Sequence, residues 1–251
     1  MTWLTDAHIH LSDPEYSRDI PHILITMEKM KIRACCVSMD FQSSQKTLEL
    51  AKKSKLVLPF LGIHPKKASE NVEPVTELIR KHPKEISGIG EIGLDNTYTD
   101  DIDSLKRQEN VFRVFLSLAE ELKKSVSIHS RRSLDEILSV LPSYRIPGVL
   151  LHWFDGSKKQ LQNAMDLGCY ASFGPVMVYS RDKQVLLSEA NPDKILVETD
   201  GPVRFSRCFG FKNAQISFIP SVVFCASKIL ATPYDELSKE LEQNCKQYLG
   251  I

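Results

Sequence analysis

The sequence alternates eight short apolar runs with amphipathic segments, and this alternation restricts the possible folds more than any other feature. The runs are rich in Val, Ile and Leu, which is typical of parallel strands covered on both faces. They predict strands at residues 4–9, 33–39, 56–62, 86–92, 126–129, 148–151, 170–173 and 195–198. Eight strands in one unbroken alternation favour closure into a barrel.

Segments with helical spacing of apolar residues separate these runs. They predict helices at 19–31, 43–53, 73–81, 103–124, 133–140, 158–166, 183–189, 220–230 and 234–249. Asp19 is the expected cap of the first helix, and Asp103 or Ser104 that of the longest. We therefore expect an α/β fold, a (β/α)₈ TIM barrel with an extra C-terminal helix, as one domain over residues 1–251. A doubly wound open sheet is the alternative.

The bulk composition excludes several classes of protein. The 32 basic residues balance the 32 acidic ones, so a contact with nucleic acid has to rest on a local patch rather than on a general basic excess. No apolar run approaches the roughly 20 residues of a membrane-spanning helix, and the N-terminus lacks a signal-peptide pattern. The six cysteines show no zinc-ribbon spacing. We expect a cytoplasmic protein that requires no membrane and no obligatory protein partner.

Imidazoles and carboxylates gather at the predicted strand ends. In a barrel these ends form one rim, where the chemistry takes place. The residues concerned are His8, His10, His64, Glu91, His129, His152, Glu198 and Asp200. His8 and His10 are two apart on a strand, so both imidazoles are expected to point the same way. Clustered imidazole and carboxylate without thiolate suits a hydrolytic site built on divalent metals.

The sequence resembles the TatD-type metal-dependent deoxyribonucleases of the amidohydrolase superfamily. The resemblance covers nearly the whole chain and rests on motifs in the order of that family. They are "DAHIHL", "GIHPKKA", "GIGEIGLD", "RQENVFRVFLSLAEEL", "SIHSR", "LHWFDGS" and "LVETDGP". It implies a barrel of the metallo-dependent hydrolase type that holds two divalent ions, Mg²⁺, Mn²⁺ or Zn²⁺.

The resemblance also implies roles for individual residues. The positions that match metal ligands are His8, His10, Glu91, His129, His152 and Asp200. Glu91 would bridge the two metals, and Asp200 would also relay the proton of the attacking water. His64 would contact a substrate phosphate or act as an acid rather than bind metal. Asp6, two residues before His8, is expected to orient a histidine ring.

Basic residues in the rim loops are candidates for phosphate contacts, because a guanidinium can bind a phosphate through two hydrogen bonds. Arg131 and Arg204 are the main candidates, and Arg207 and Lys66 are further ones, although Lys66 could equally be a solvated surface charge. After Asp200 the chain departs from the family pattern, with "GPVRF" where "SPYL" is common. This departure affects the expected choice of substrate rather than the metal chemistry.

The expected activity is hydrolysis of DNA through a metal-activated water. The resemblance implies a 3′–5′ exonuclease that acts on single-stranded DNA. Ester or amide hydrolysis on the same site, such as deacylation of D-aminoacyl-tRNA, is the alternative. An inactive binding module would lack some of the ligands, and the complete set argues against it.

Overall fold

Eight parallel strands form the centre of the protein, in a computed structural model that describes residues 2–98 and 101–251. They are β1 (Leu4–Ile9), β2 (Ile32–Val37), β3 (Val57–Leu61), β4 (Gly88–Asp95), β5 (Ser125–Arg131), β6 (Val149–Leu151), β7 (Tyr170–Phe173) and β8 (Ile195–Val197). The strands lie in sequence order from β1 to β8, and each pairs with the next in parallel. This is the order that right-handed β–α–β units produce.

Helices connect the strands and cover the outside of the barrel. They are α1 (Ile20–Met30), α2 (Phe41–Lys53), α3 (Glu73–Lys81), α4 (Ile102–Leu122), α5 (Leu134–Val140), α6 (Lys158–Asp166), α7 (Arg181–Glu189), α8 (Ile219–Ile229) and α9 (Tyr234–Leu249). Within the described residues no single helix is long and apolar enough to cross a membrane. The segment 216–229 passes that test only together with α9, to which it is bent by 110°.

The barrel is closed between its first and last strands by two backbone hydrogen bonds just beyond β8. The N–H of Asp200 donates to the carbonyl of His8 (2.9 Å), and the N–H of His10 donates to the carbonyl of Gly201 (2.8 Å). The TIM barrel expected from the alternation is therefore confirmed, and the open doubly wound sheet is excluded. The residues at this seam include three of the predicted site residues.

The extra helix α9 closes the N-terminal end of the barrel. Tyr248 is fully buried and packs with interior side chains such as Phe60 and Tyr170. Its hydroxyl donates to the carbonyl of Val126 at the start of β5 (3.0 Å). Since one end of the barrel is filled in this way, the open end is the C-terminal rim, where ligands bind in this fold.

Two helix caps differ from expectation. The longest helix is capped by Asp101, whose side chain accepts from the N–H of Ser104 (2.9 Å), and not by Asp103 or Ser104. Asp101 has the extended backbone that an N-cap needs (ψ 122°). Asp19 precedes α1 without a side-chain capping bond, because its own backbone is already helical (φ −98°, ψ −8°).

Candidate metal centre

The structure brings all six predicted metal-binding side chains together at the C-terminal rim. They come from the ends of β1, β4, β5 and β6 and from the turn after β8. Their polar atoms divide into two groups, and Glu91 contributes one carboxylate oxygen to each. Glu91 is only 2% exposed, so its two oxygens are surrounded by protein groups rather than by bulk water.

The first group contains Nε2 of His8, Nε2 of His10, Oε2 of Glu91 and Oδ1 of Asp200. The two imidazole nitrogens are 3.3 Å apart. They lie 3.5 and 3.3 Å from the Glu91 oxygen and 3.6 Å each from the Asp200 oxygen. Ligands at about 2.0–2.2 Å from a tetrahedral ion are separated by about 3.3–3.6 Å. The donor atoms of this structure therefore fit one divalent ion.

The second group contains Oε1 of Glu91, Nδ1 of His129 and Nε2 of His152. The nitrogens lie 2.8 and 2.9 Å from the Glu91 oxygen and 3.4 Å from each other. The other nitrogen of His129 lies 2.7 Å from Oδ2 of Asp95. A carboxylate behind a histidine fixes the ring and its tautomer, as is common for metal-binding histidines. Asp95 therefore supports His129 from behind in addition to accepting hydrogen bonds from Thr97.

Close packing of β4 against β5 brings Glu91 and His129 within reach. The ladder continues past the predicted end of the strand, with Gly93 opposite His129 and Asp95 opposite Arg131. Gly93 has a φ of +144°, and a Cβ on it would lie 2.0 Å from the carbonyl oxygen of His129. Only glycine allows this approach, which accounts for the second glycine of "GEIGLD".

His64 lies beside the second group, within 3.5 Å of Glu91. Its Nδ1 accepts from the N–H of Lys66 (3.1 Å), so the proton of the neutral ring is on Nε2, 3.5 Å from Oε1 of Glu91. Burial, opposed by Glu91 and aided by neighbouring imidazoles, lowers the pKa of His64 to about 4. A neutral ring with a protonated Nε2 can donate to an anion, but it offers no free electron pair to a metal.

Glu198 lies close to His8 and His152 but has other partners. Its Oε1 accepts from the N–H of Trp153 (2.7 Å) and its Oε2 from the hydroxyl of Ser172 (2.5 Å). Burial raises the pKa of Glu198 to about 8. Because its oxygens already accept hydrogen bonds, Glu198 supports the chain beneath the centre instead of competing as a ligand.

The side chain that orients the His8 ring is not Asp6, as expected, but Ser127. Nδ1 of His8 lies 2.8 Å from the hydroxyl of Ser127, a residue that the sequence reasoning did not select. Asp6 does not contact the imidazole. It accepts from the N–H (2.9 Å) and the hydroxyl (2.5 Å) of Thr199, so it ties β1 to the end of β8 directly beside Asp200.

Burial and close contact perturb the titration of these groups. Burial lowers the pKa of His8 to about 3, aided by His152, whose ring stacks on it at 3.7 Å. Burial also lowers the pKa of His10, but hydrogen bonds with Asp200 and Glu91 outweigh it and raise the pKa to about 10. The carboxyl of Glu91 is buried as well, yet the surrounding imidazoles hold its pKa well below the usual range. Such coupled shifts are typical of functional sites.

The basic residues predicted to contact phosphate differ in whether their side chains already bind other protein groups. Arg131 is exposed at the end of β5, and within residues 2–98 and 101–251 its guanidinium has no hydrogen bond or ion pair. Arg204 is less free than expected, because its guanidinium binds Glu15 (3.0 Å) and Asn213 (2.7 Å). Lys66 and Arg207 are exposed in the rim loops.

Comparisons with known proteins agree with this arrangement. A sequence model of the family described as "TatD related DNase" matches residues 5–250. The chain is 25% identical over 256 residues to "Uncharacterized metal-dependent hydrolase YabD" of Bacillus subtilis, and the match covers 99% of both proteins. It is 24% identical over 258 residues to "3'-5' ssDNA/RNA exonuclease TatD" of Klebsiella pneumoniae, covering 98% of this chain and 97% of that protein.

The fold also matches a solved structure. The crystal structure of YjjV, a TatD homologue from Escherichia coli K12, superimposes with a TM-score of 0.91 at 22% sequence identity. The match covers 99% of this chain and 98% of that chain. The family match extends over nearly the whole barrel and includes every residue of the two ligand groups. This chain belongs to the TatD-related DNase family and is a metal-dependent hydrolase.

Proposed function

We propose that the protein is a nuclease that removes nucleotides from the 3′ end of single-stranded DNA, with two divalent metal ions held around Glu91. The observation that carries this proposal is the division of the Glu91 carboxylate. Its Oε2 faces His8 and His10, and its Oε1 faces His129 and His152. A single carboxylate shared by two sets of nitrogens suits a pair of adjacent cations, as in metal-dependent phosphodiester hydrolysis.

The side chains around the centre divide the work of hydrolysis. A bound divalent metal supplies Lewis acidity, which lowers the pKa of water and polarises an oxygen of the phosphodiester. Burial would raise the pKa of Asp200, but the hydrogen bond from His10 and the charges of nearby imidazoles lower it. The carboxylate of Asp200 is therefore ionised at neutral pH and accepts the proton of the attacking water. His64 donates its Nε2–H to a phosphate oxygen.

Two further features support a nucleic acid as the substrate. The relative from Klebsiella pneumoniae is named a 3′–5′ exonuclease of single-stranded DNA and RNA. The guanidinium of Arg131 lies two residues from His129 on the exposed side of β5, where it can bind a phosphate beside the centre. Arg204 serves this purpose only if a substrate displaces Glu15.

The test combines metal analysis with two substrates. The purified protein is expected to contain up to two divalent ions per chain and to shorten single-stranded DNA from its 3′ end. Glu91→Gln removes the shared anionic ligand, so both metal content and DNA hydrolysis should fall, the latter by at least about a hundredfold. Glu85→Gln is the matched control, because Glu85 is exposed on the connection before β4 at the opposite end of the barrel.

Two outcomes would reject the proposal. If DNA loss continues undiminished in Glu91→Gln, the nuclease activity belongs to a contaminant. If the wild type hydrolyses D-aminoacyl-tRNA in a manner that depends on Glu91 and leaves DNA intact, the same centre is an acyl-ester hydrolase instead.

A further inference from the structure

Tyr98 is an exposed aromatic side chain at the mouth of the candidate metal centre. It lies in the connection between β4 and α4 and is 44% exposed. Its ring centroid is 5.9 Å from that of His64, and the ring planes meet at 65°. Since Nε2 of His64 is 3.5 Å from Oε1 of Glu91, the Tyr98 ring is only one side chain away from both ligand groups.

Hydrogen bonds hold the segment before Tyr98 in place. Oδ1 of Asp95 accepts from the N–H (2.8 Å) and the hydroxyl (2.5 Å) of Thr97. Asn96 donates its N–H to the carbonyl of Arg131 (3.1 Å) and its side-chain amide to the carbonyl of Arg132 (2.8 Å). The ring is thus presented from a segment fastened to the end of β5, so little conformational freedom is lost when a ligand contacts it.

Cationic side chains flank the exposed ring. Nζ of Lys66 is 5.9 Å from the Tyr98 ring centroid. Arg131, two residues after His129, is close enough for its charge to act on the Tyr98 hydroxyl. An exposed aromatic ring with cations beside it is the combination by which proteins bind single-stranded nucleic acid.

We propose that Tyr98 is a base-binding residue, on whose ring stacks a nucleobase adjacent to the scissile phosphate. The inference rests on the proposed nuclease function and specifies how its substrate is held. His64 and Arg131 contact the phosphate, while Tyr98 contacts the neighbouring base. A base inside a duplex has both faces covered by its neighbours, so stacking on Tyr98 favours single strands over duplexes.

Binding rather than turnover gives the cleanest test. The probe is a fluorescein-labelled oligodeoxythymidylate of about ten residues with phosphorothioate linkages, which resist hydrolysis, added to the full chain loaded with Mn²⁺. Two further probes carry an abasic residue at the 3′-terminal or the penultimate position. Tyr98→Ala is expected to raise the Kd of the intact probe about 5- to 150-fold, the range measured for loss of one stacked base.

The coupling between side chain and base decides the outcome. The wild type should bind one of the abasic probes more weakly than the intact probe, by a factor similar to that of Tyr98→Ala. Tyr98→Ala itself should bind that abasic probe no more weakly than it binds the intact probe. Tyr98→Phe keeps the ring and should bind like the wild type. Phe224→Ala is the matched control, since Phe224 is another exposed aromatic (55%) and lies on α8, on the outer wall.

The inference is wrong if, for both abasic probes, removing the base weakens binding to Tyr98→Ala as much as it weakens binding to the wild type. It is also wrong if the protein does not bind the intact probe. The separate hydrolysis assay with Glu91→Gln judges the nuclease function. Coupling between Tyr98 and a base without metal-dependent DNA hydrolysis would reject the function and leave the base-binding role intact.

Discussion

Replacing Asp95 by Asn tests whether His129 is a metal ligand supported from behind by a carboxylate. Oδ2 of Asp95 lies 2.7 Å from Nε2 of His129, and this contact directs Nδ1 of the ring at Oε1 of Glu91, 2.8 Å away. Loss of such a partner typically lowers metal affinity 10- to 100-fold, or about 1.4–2.7 kcal/mol. A hydrogen bond to a charged group is worth about 1.5–3 kcal/mol, which is the same range.

The loss should depend on pH in a defined direction. Burial lowers the pKa of His129, but the hydrogen bonds with Asp95 and Glu91 outweigh it and raise the pKa to about 9 in the metal-free protein. Below that pH protons compete with metal for Nδ1 in the wild type. Protons compete less for Nδ1 in Asp95→Asn, because the hydrogen bond with Asp95, the strongest contact that raises the pKa of His129, is gone. The affinity deficit should therefore be small near pH 6.5 and grow towards its full size near pH 9.

Calorimetric titration with Mn²⁺ at several pH values measures this deficit. Ser127→Ala is the matched control, because Ser127 lies 2.8 Å from Nδ1 of His8 and so supports the other ligand group. We expect each variant to weaken a different one of two binding events. The reasoning is refuted if Asp95→Asn binds both ions like the wild type at every pH, or if both variants weaken the same event.

Three other predictions concern the metal, the reaction and the fold. Metal binding at pH 7.5 should release about two protons, because His10 and His129 have pKa values raised to about 10 and about 9; equal calorimetric heats in buffers of different ionisation enthalpy would contradict this. Asp200→Asn should lower kcat for DNA by about 100-fold or more with an unchanged circular dichroism spectrum, and normal turnover would exclude Asp200 as the proton acceptor. Tyr248→Ala should cost about 3–5 kcal/mol, since the ring is fully buried at the closed end of the barrel. Thermal unfolding should show a fall in Tm of at least about 6 °C, and a smaller shift would mean that α9 can refill the space.

The clustering of the candidate ligands could be predicted from sequence, because strand period and strand end suffice to bring their side chains together. His8 and His10 are two residues apart, and their nitrogens indeed meet at 3.3 Å. The partner of His8 could have been found only in part. Ser127 precedes His129 by two residues and so shares its face of β5, but no pattern along the chain says that this face meets β1 across the barrel.

The rim loops were harder to predict because their contacts join distant parts of the chain. Arg204 was expected to face a phosphate from its position after β8, yet it binds Glu15, 189 residues earlier. Asp95 lies three residues beyond the end of the strand predicted at 86–92. The strand in fact extends through Asp95, since the polar end of the "SIHSR" segment pairs with it. Local propensity does not reveal such pairing.

The two ligand groups differ in how they depend on the fold. The second group comes from β4, β5 and β6, which pair in parallel on both sides of a register shift between Ile89 and Ile92. The first group includes Asp200 and His10, the residues whose backbone N–H groups close the barrel. Asp200 also has a φ of 49°, a left-handed conformation that costs a residue with a Cβ about 1–2 kcal/mol. Its bonds to the carbonyl of His8 and from the N–H of Val203 oppose that cost. A change that loosens this seam would therefore displace two ligands of the first group at once and spare the second.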